Sequence, residues 1–201
     1  MKPFHSAAIL AFAITLSGLN AHAQTNTAPA ATPSAPPAGT TAESTPSPTT
    51  EQPTLAREDE SFLENAIQGS HAEIVGSRLA LEKTEDVDVK AFAQMMIDDH
   101  TTMVEEAETL AASKGMTPPT GPSVMQSTEI TALKALTGGA FNAMYVNRIG
   151  VASHEATVEM FEKASHEAQD PDVKALASKT LPKLRHHLEM ARSLDQKQDR
   201  Q

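Results

Sequence analysis

Residues 86–93, DVDVKAFA, and residues 170–177, DPDVKALA, are near-identical octapeptides that begin 84 positions apart. Each opens an amphipathic stretch, and another helical stretch precedes it. In the second copy Asp170 is placed to accept the free N–H groups of a first helical turn, and Pro171 fills the first helical position, where its missing N–H costs nothing. Asp86 can cap the first copy in the same way, so both octapeptides mark sharp turns between long helices. One helical hairpin is therefore used twice. Two hairpins bury their apolar stripes most economically against each other, so the expected fold is all-α: a four-helix bundle of two hairpins joined by a long connection.

Working outward from the two turns, helix one is expected over about 57–83, with Leu63, Ala66, Ile67, Ile74 and Leu81 on one stripe and small residues (Gly69, Ser70, Gly76, Ser77) beside it. Helix two, about 87–114, carries Val89, Phe92, Ala93, Met96, His100, Met103, Ala107 and Leu110 on one face, and Gly115 is a natural C-cap. The connection 116–139 opens with Pro118, Pro119, Gly121 and Pro122, holds a short helix at about 123–136, and ends on Gly138 and Gly139. It is long enough to run the length of a bundle. Helix three, about 140–168, repeats Met144, Val151, His154, Val158 and Phe161, while Phe141, Tyr145 and Ala152 form a competing stripe. Helix four, 171 to about 194, buries Val173, Ala177, Leu181, Leu184, His187, Leu188 and Ala191; Pro182 interrupts it, which frees the Ser178 carbonyl and predicts a bend. No strand pattern is present.

Three strings, DVKAFAQMMIDDH (88–100), VASHEATVEMFEKA (151–164) and DPDVKALASKTLPKLRHHLEMA (170–191), resemble the bacterial family named domain of unknown function 4142. The likeness covers about 55–194. It implies a ferritin-like fold and an exported protein; members are often labelled outer-membrane proteins. That label fits this chain badly, because spanning the outer membrane takes alternating strands closed into a barrel.

The ends and the composition bound the function classes. Residues 1–23 read as a signal peptide: Lys2 is the basic start, 7–19 is a short apolar run, and Ala21-His22-Ala23 is an A-x-A cleavage site that would leave Gln24 first. The apolar run is too short to span a bilayer, and with no cysteine in the chain there is neither a lipid anchor nor thiolate chemistry. The expected product is exported to the periplasm or beyond and soluble after cleavage. Residues 24–54 contain seven prolines, nine threonines and only two charges, with no aliphatic residue larger than alanine, so they read as a disordered linker that cannot bury enough surface to order itself. Residues 55–201 are then a single domain. The net charge of −10 argues against nucleic acid or an anionic membrane as partner, leaving another envelope protein as the class of partner expected.

Three histidines interrupt the apolar stripes: His100 between Met96 and Met103, His154 between Val151 and Val158, His187 between Leu184 and Leu188. His100 lies 14 residues past Asp86, His154 lies 16 before Asp170 and His187 lies 17 past it. At about 1.5 Å per residue all three fall near mid-height, whichever way the second hairpin runs. On helix one that depth holds Ser70, His71 and Glu73, with His71 and Glu73 on opposite flanks of the stripe. Three neutral imidazoles with a carboxylate suit one transition-metal ion, copper, zinc or iron, and the candidate ligands are His100, His154 and His187 with Glu73 or His71. A di-iron centre would need Glu-x-x-His motifs, but the residues three before the histidines are Ile97, Val151 and Leu184. The alternative is purely structural: each imidazole fixes helix register by donating to a carbonyl, to Ser70 or to Asp99.

No residue is read as catalytic. The favoured expectation is a non-catalytic, exported, binding or stress-related bundle protein; its alternative is a mononuclear metal-binding protein or metal-dependent oxidoreductase using the mid-bundle histidines. Deleting residues 24–54 removes almost no buried apolar surface, so a thermal melt of the truncated chain should shift by no more than about 2 °C. A fall of about ten degrees would mean that the segment docks on the bundle.

Overall fold

The structure, a computed structural model, describes residues 55–198 and Arg200. The signal peptide and the linker expected from the sequence lie outside the described residues. Six α-helices and one π-helical segment follow one another: α1 Arg57–Lys83, α2 Val87–Ser113, α3 Val124–Lys134, α4 Gly138–Met144, the π segment Tyr145–Ala152, α5 Ser153–Glu167 and α6 Pro171–Gln198. The backbone stays right-handed helical through Met144 and Ala152, so α4, the π segment and α5 form one long rod. Four long rods thus make a ferritin-like four-helix bundle: α1 packs on α2, the α4–π–α5 rod on α6, and the two hairpins on each other. Among the described residues there is no strand, and no helix is long and apolar enough to cross a membrane.

Both aspartate caps form. The Asp86 carboxylate accepts the N–H groups of Asp88 (2.9 Å) and Val89 (3.1 Å), and Asp170 accepts those of Asp172 (2.8 Å) and Val173 (3.2 Å). Helix α2 ends one residue before the expected position, with Gly115 at φ 82° letting Met116 N–H reach the Ala111 carbonyl and Gly115 N–H that of Ala112. This paired pattern closes the helix on its own carbonyls. The short helix α3 begins on a reciprocal cap between Ser123 and Gln126 and lays Ile130 and Leu133 down as buried residues against α1. Gly138 and Gly139, expected to end the connection, instead form the first turn of α4. Pro182 sits exposed within α6, which runs through it and on to Gln198.

Helix three shows where straight helical periodicity fails. Its two competing stripes are both used, one on each side of the π segment. Phe141 before it and Tyr145 and Ile149 within it are buried, as are His154, Phe161 and Ala164 after it. An uninterrupted α-helix would leave His154 about 140° away from the face of Ile149; the wider i→i+5 turn inserts the extra residue that returns it to the core. Gly150 lies in this segment, and a Cβ there would stand 3.0 Å from the Ala191 side chain, so the close approach of α6 depends on a residue without one.

The core is divided. One apolar half gathers Phe62, Leu63, Ile67, Val104, Phe161, Val173 and Leu184; the other gathers Leu79, Phe92, Met96, Phe141, Tyr145, Val146 and Leu194. Between them the buried residues are polar: Ser70, Glu73, His100, His154 and His187.

A further buried polar group ties the far end together. Asp59, in the first turn of α1 and 2% exposed, accepts the backbone N–H groups of Gln169 (3.0 Å) and Asp170 (2.7 Å) in the α5–α6 turn. Asp59→Ala removes the acceptor of two part-buried donors and should destabilise the fold by about 1 kcal/mol in chemical denaturation, whereas Asp59→Asn keeps an acceptor and should lose clearly less. Equal losses for the two variants would show that the contact is packing and not hydrogen bonding.

Candidate metal centre

Glu73 is the hub of the polar layer. Helix α1 carries it into the bundle at 2% exposure, where Oε2 lies 2.9 Å from His100 Nδ1 and Oε1 lies 3.6 Å from His154 Nδ1. Ser153 Oγ donates to Oε1 at 2.6 Å. Burial by itself would raise this carboxyl; the adjacent His100 and His154 and the hydrogen bonds from His100 and Ser153 outweigh it and hold the group at about 2. Glu73 is therefore an anion in an otherwise apolar interior.

Each imidazole is fixed through one nitrogen. His100 Nδ1 faces Glu73, with Ser70 Oγ at 3.4 Å; His154 Nδ1 faces the Ile149 carbonyl at 3.3 Å as well as Glu73; His187 Nε2 lies 2.8 Å from Asp99 Oδ2. Asp99 is itself held low, since the hydrogen bonds from Lys183 and His187 exceed the opposing effect of its burial. Its Oδ1 accepts Lys183 Nζ at 2.6 Å. Every anchored nitrogen thus meets an acceptor and must carry the N–H. Burial lowers the affinity of His154 for a second proton, and burial together with the neighbouring imidazoles brings His187 down to about 4, although Asp99 pulls the other way. With the N–H on those nitrogens, a neutral ring presents its other nitrogen as a lone pair, and those other nitrogens are His100 Nε2, His154 Nε2 and His187 Nδ1. These three nitrogens are buried and have no hydrogen-bond partner.

They also converge. The three rings stand 5.2–5.6 Å apart by centroid, and one nitrogen from each lies within 4.8 Å of the others. A tetrahedral ion bound at 2.0–2.1 Å holds its nitrogens about 3.4 Å apart, so small ring rotations would close the set on a single ion. A water molecule has two protons to give and cannot satisfy three acceptors; a cation can meet all three at once.

Of the candidate residues read from the sequence, His100, His154, His187 and Glu73 come together and His71 does not. Two positions before Glu73, it faces the other way round α1, and its Nε2 pairs with Glu108 at 3.1 Å on a partly exposed face. His166 and His186 are exposed and lie outside the cluster, and Glu162, four residues before His166, pairs with Arg185 at 2.8 Å. Ser153 was not legible, because its role depends on the π segment. Asp99 was legible as a flank beside the seam, and it takes the orienting position expected for it.

The sequence family described as "Domain of unknown function (DUF4142)" matches residues 44–194, and the chain belongs to that family. No curated protein matches. Among solved structures, the crystal structure of a DUF305 fragment from Deinococcus radiodurans superposes with a TM-score of 0.62 at 16% identity, covering 74% of this chain and all of that one. At that identity the likeness is one of fold.

In the unfolded metal-free chain the imidazoles titrate near 6.5, whereas folded His187 titrates near 4. Between these values the unfolded state binds more protons, so stability is complete above about pH 6.5 and declines as pH falls toward 4. Glu73, depressed to about 2, adds a loss of the same sign from about pH 4.5 downward. Thermal melts of the metal-free protein should fall steadily from pH 7 to pH 4, and His187→Gln should flatten the upper part of that slope. A flat profile would mean that the imidazole is not held neutral.

Proposed function

We propose that this member of the DUF4142 family is a metal-binding bundle protein that holds one transition-metal ion on His100, His154 and His187. The observation that carries the reading is a set of three buried imidazoles, each with an unpartnered nitrogen, that bring one ring nitrogen apiece to within 4.8 Å of one another. Each ligand has the support that metal-bound histidines usually have: a carboxylate or carbonyl on its other nitrogen, which fixes the tautomer and raises the basicity of the ligating atom. Glu73 and Asp99 play that part and bring two negative charges to the site's edge, which suits a divalent ion. Imidazole ligation without thiolate favours zinc, copper or iron. The one buried carboxylate of the layer belongs to α1, where a bridged di-iron centre would draw bridging carboxylates from several helices. Export to the cell envelope, expected from residues 1–23, would put this function outside the cytoplasm.

Metal content of chain purified without a histidine tag tests the reading, with about one equivalent per chain expected. In a thermal-shift series, zinc, copper or iron at a hundredfold excess over its Kd should stabilise by about 2.7 kcal/mol, or roughly 5–10 °C for a domain this size. Any one of His100→Ala, His154→Ala and His187→Ala should abolish the shift, and Glu73→Gln should weaken binding about 10–100-fold. No stabilisation by any of the three metals would overturn the proposal and leave the histidines as register-fixing core residues.

A further inference from the structure

The triad is sealed: all three rings are at most 1% exposed, so an ion needs a way in. Resting on the metal-site reading above, we propose that the ion loads and leaves through the seam between α1 and α5, with Met160 as its gate and Glu73 as the last group it meets before the histidines.

Two cavities define the path. An open groove of about 560 Å³ runs along the outer half of this seam, walled by Phe62 and Asn65 on α1 and by Met160 and Ala164 on α5. Behind it lies an internal cavity of about 10 Å³, the room one water molecule needs. Asn65 and Met160 line both spaces, so these two side chains are the partition between solvent and the interior. The inner wall of the small cavity is Ser70, Glu73, His100 and Met103. It therefore ends on the carboxylate and on one of the three ligands. Gly69 also lines it and contributes no side chain. A second cavity of similar size, beyond Ser70 and Met103, is closed by Ala107, Leu176 and Thr180 and shares no wall with the groove.

The donors along the path change character inward. Asn65 and Thr157 offer neutral oxygens, Met160 and Met103 neutral sulfurs, and Glu73 a full negative charge. A cavity with room for one water excludes a hydrated ion, so the cation sheds its shell at the mouth and exchanges water for these donors in turn. The anion at the inner end draws it on. Methionine is suited to the gate, because its unbranched chain swings through several rotamers without leaving a fixed hole.

A gate and a ligand leave different kinetic signatures. The path is the same inward and outward, so a gate variant changes loading and release by one factor and leaves Kd alone, whereas loss of a ligand changes Kd. The test follows Co(II) uptake by its visible absorption in stopped flow and Co(II) release by chelator competition. Met160→Ala opens the partition and should speed both rates about tenfold; Met160→Phe, bulkier and stiffer at the same position, should slow both by about tenfold. Thermal melts of both variants check that each keeps the parent's fold. Kd should stay within about threefold of the parent in both. Rates unmoved by either variant overturn the path. So does acceleration by Lys183→Ala with Met160→Ala inert, which would place the route beside Asp99 between α2 and α6. A Kd that shifts as much as the rates makes Met160 a ligand and overturns the gate. A parent chain that binds no Co(II), zinc or copper defeats the metal site itself, and the path with it, before any variant is made.

Discussion

A single ionised carboxylate at the centre of an apolar bundle sets the terms for everything around it. Removing a charge from water costs several kcal/mol even after the protein relaxes, and Glu73 is 2% exposed. It persists because His100, His154 and Ser153 surround it, and those contacts reach it from α2 and from the first turn of α5. The register of α2 and α5 is thereby tied to one side chain on α1. Sliding α2 by a single residue would swing His100 about 100° off the seam and leave the anion short of a donor. Apolar contacts between Ala, Leu and Met side chains are far more tolerant of such slips, so the polar layer and not the apolar halves specifies how the helices align.

The π segment follows from the same requirement. Phe141 and Tyr145 must enter one apolar half while His154 must enter the layer, and no single 3.6-residue stripe includes all three. One residue of slack reconciles them. That slack also sets Ser153 on Glu73 and opens the Ile149 carbonyl to His154 Nδ1, so the local irregularity supplies two of the layer's hydrogen bonds. Tyr145 closes the other side of the segment by sharing a hydrogen bond of 2.8 Å with Ser77, both side chains buried.

How much of this was written in the sequence depends on the range of the interaction. The aspartate caps, Gly115 and the two-hairpin plan were legible, because caps act within four residues and a repeated octapeptide reports a repeated turn. The common height of His100, His154 and His187 was legible as well, since a constant rise per residue converts position into depth. The choice between His71 and Glu73 was not. Helix α1 is rich in small residues near mid-height, so its stripe is broad and either flank could be the inner one. The π segment was visible only as two stripes in conflict. Asp59 gave no sign at all: its partners are backbone groups 110 and 111 positions away, and a backbone N–H has no residue type to read.

Stability alone does not account for the layer. Replacing a buried ionic cluster by apolar groups of similar volume is often neutral or stabilising, and the halves on either side show that this bundle packs Leu, Val, Phe and Met readily. Continuing that pattern through mid-height would have made a simpler core. Hydrogen-bonded register keys do occur in helical bundles, but a key needs its polar atoms paired, and here one nitrogen on each of three rings is not. One nitrogen from each ring comes within 4.8 Å of the others, and imidazole lone pairs brought together in this way repel one another. The arrangement is unfavourable as a scaffold and favourable as a socket. On the proposed metal-binding reading, what relieves it is a positive charge small enough to reach all three rings, with Glu73 and Asp99 holding N–H groups on their far side.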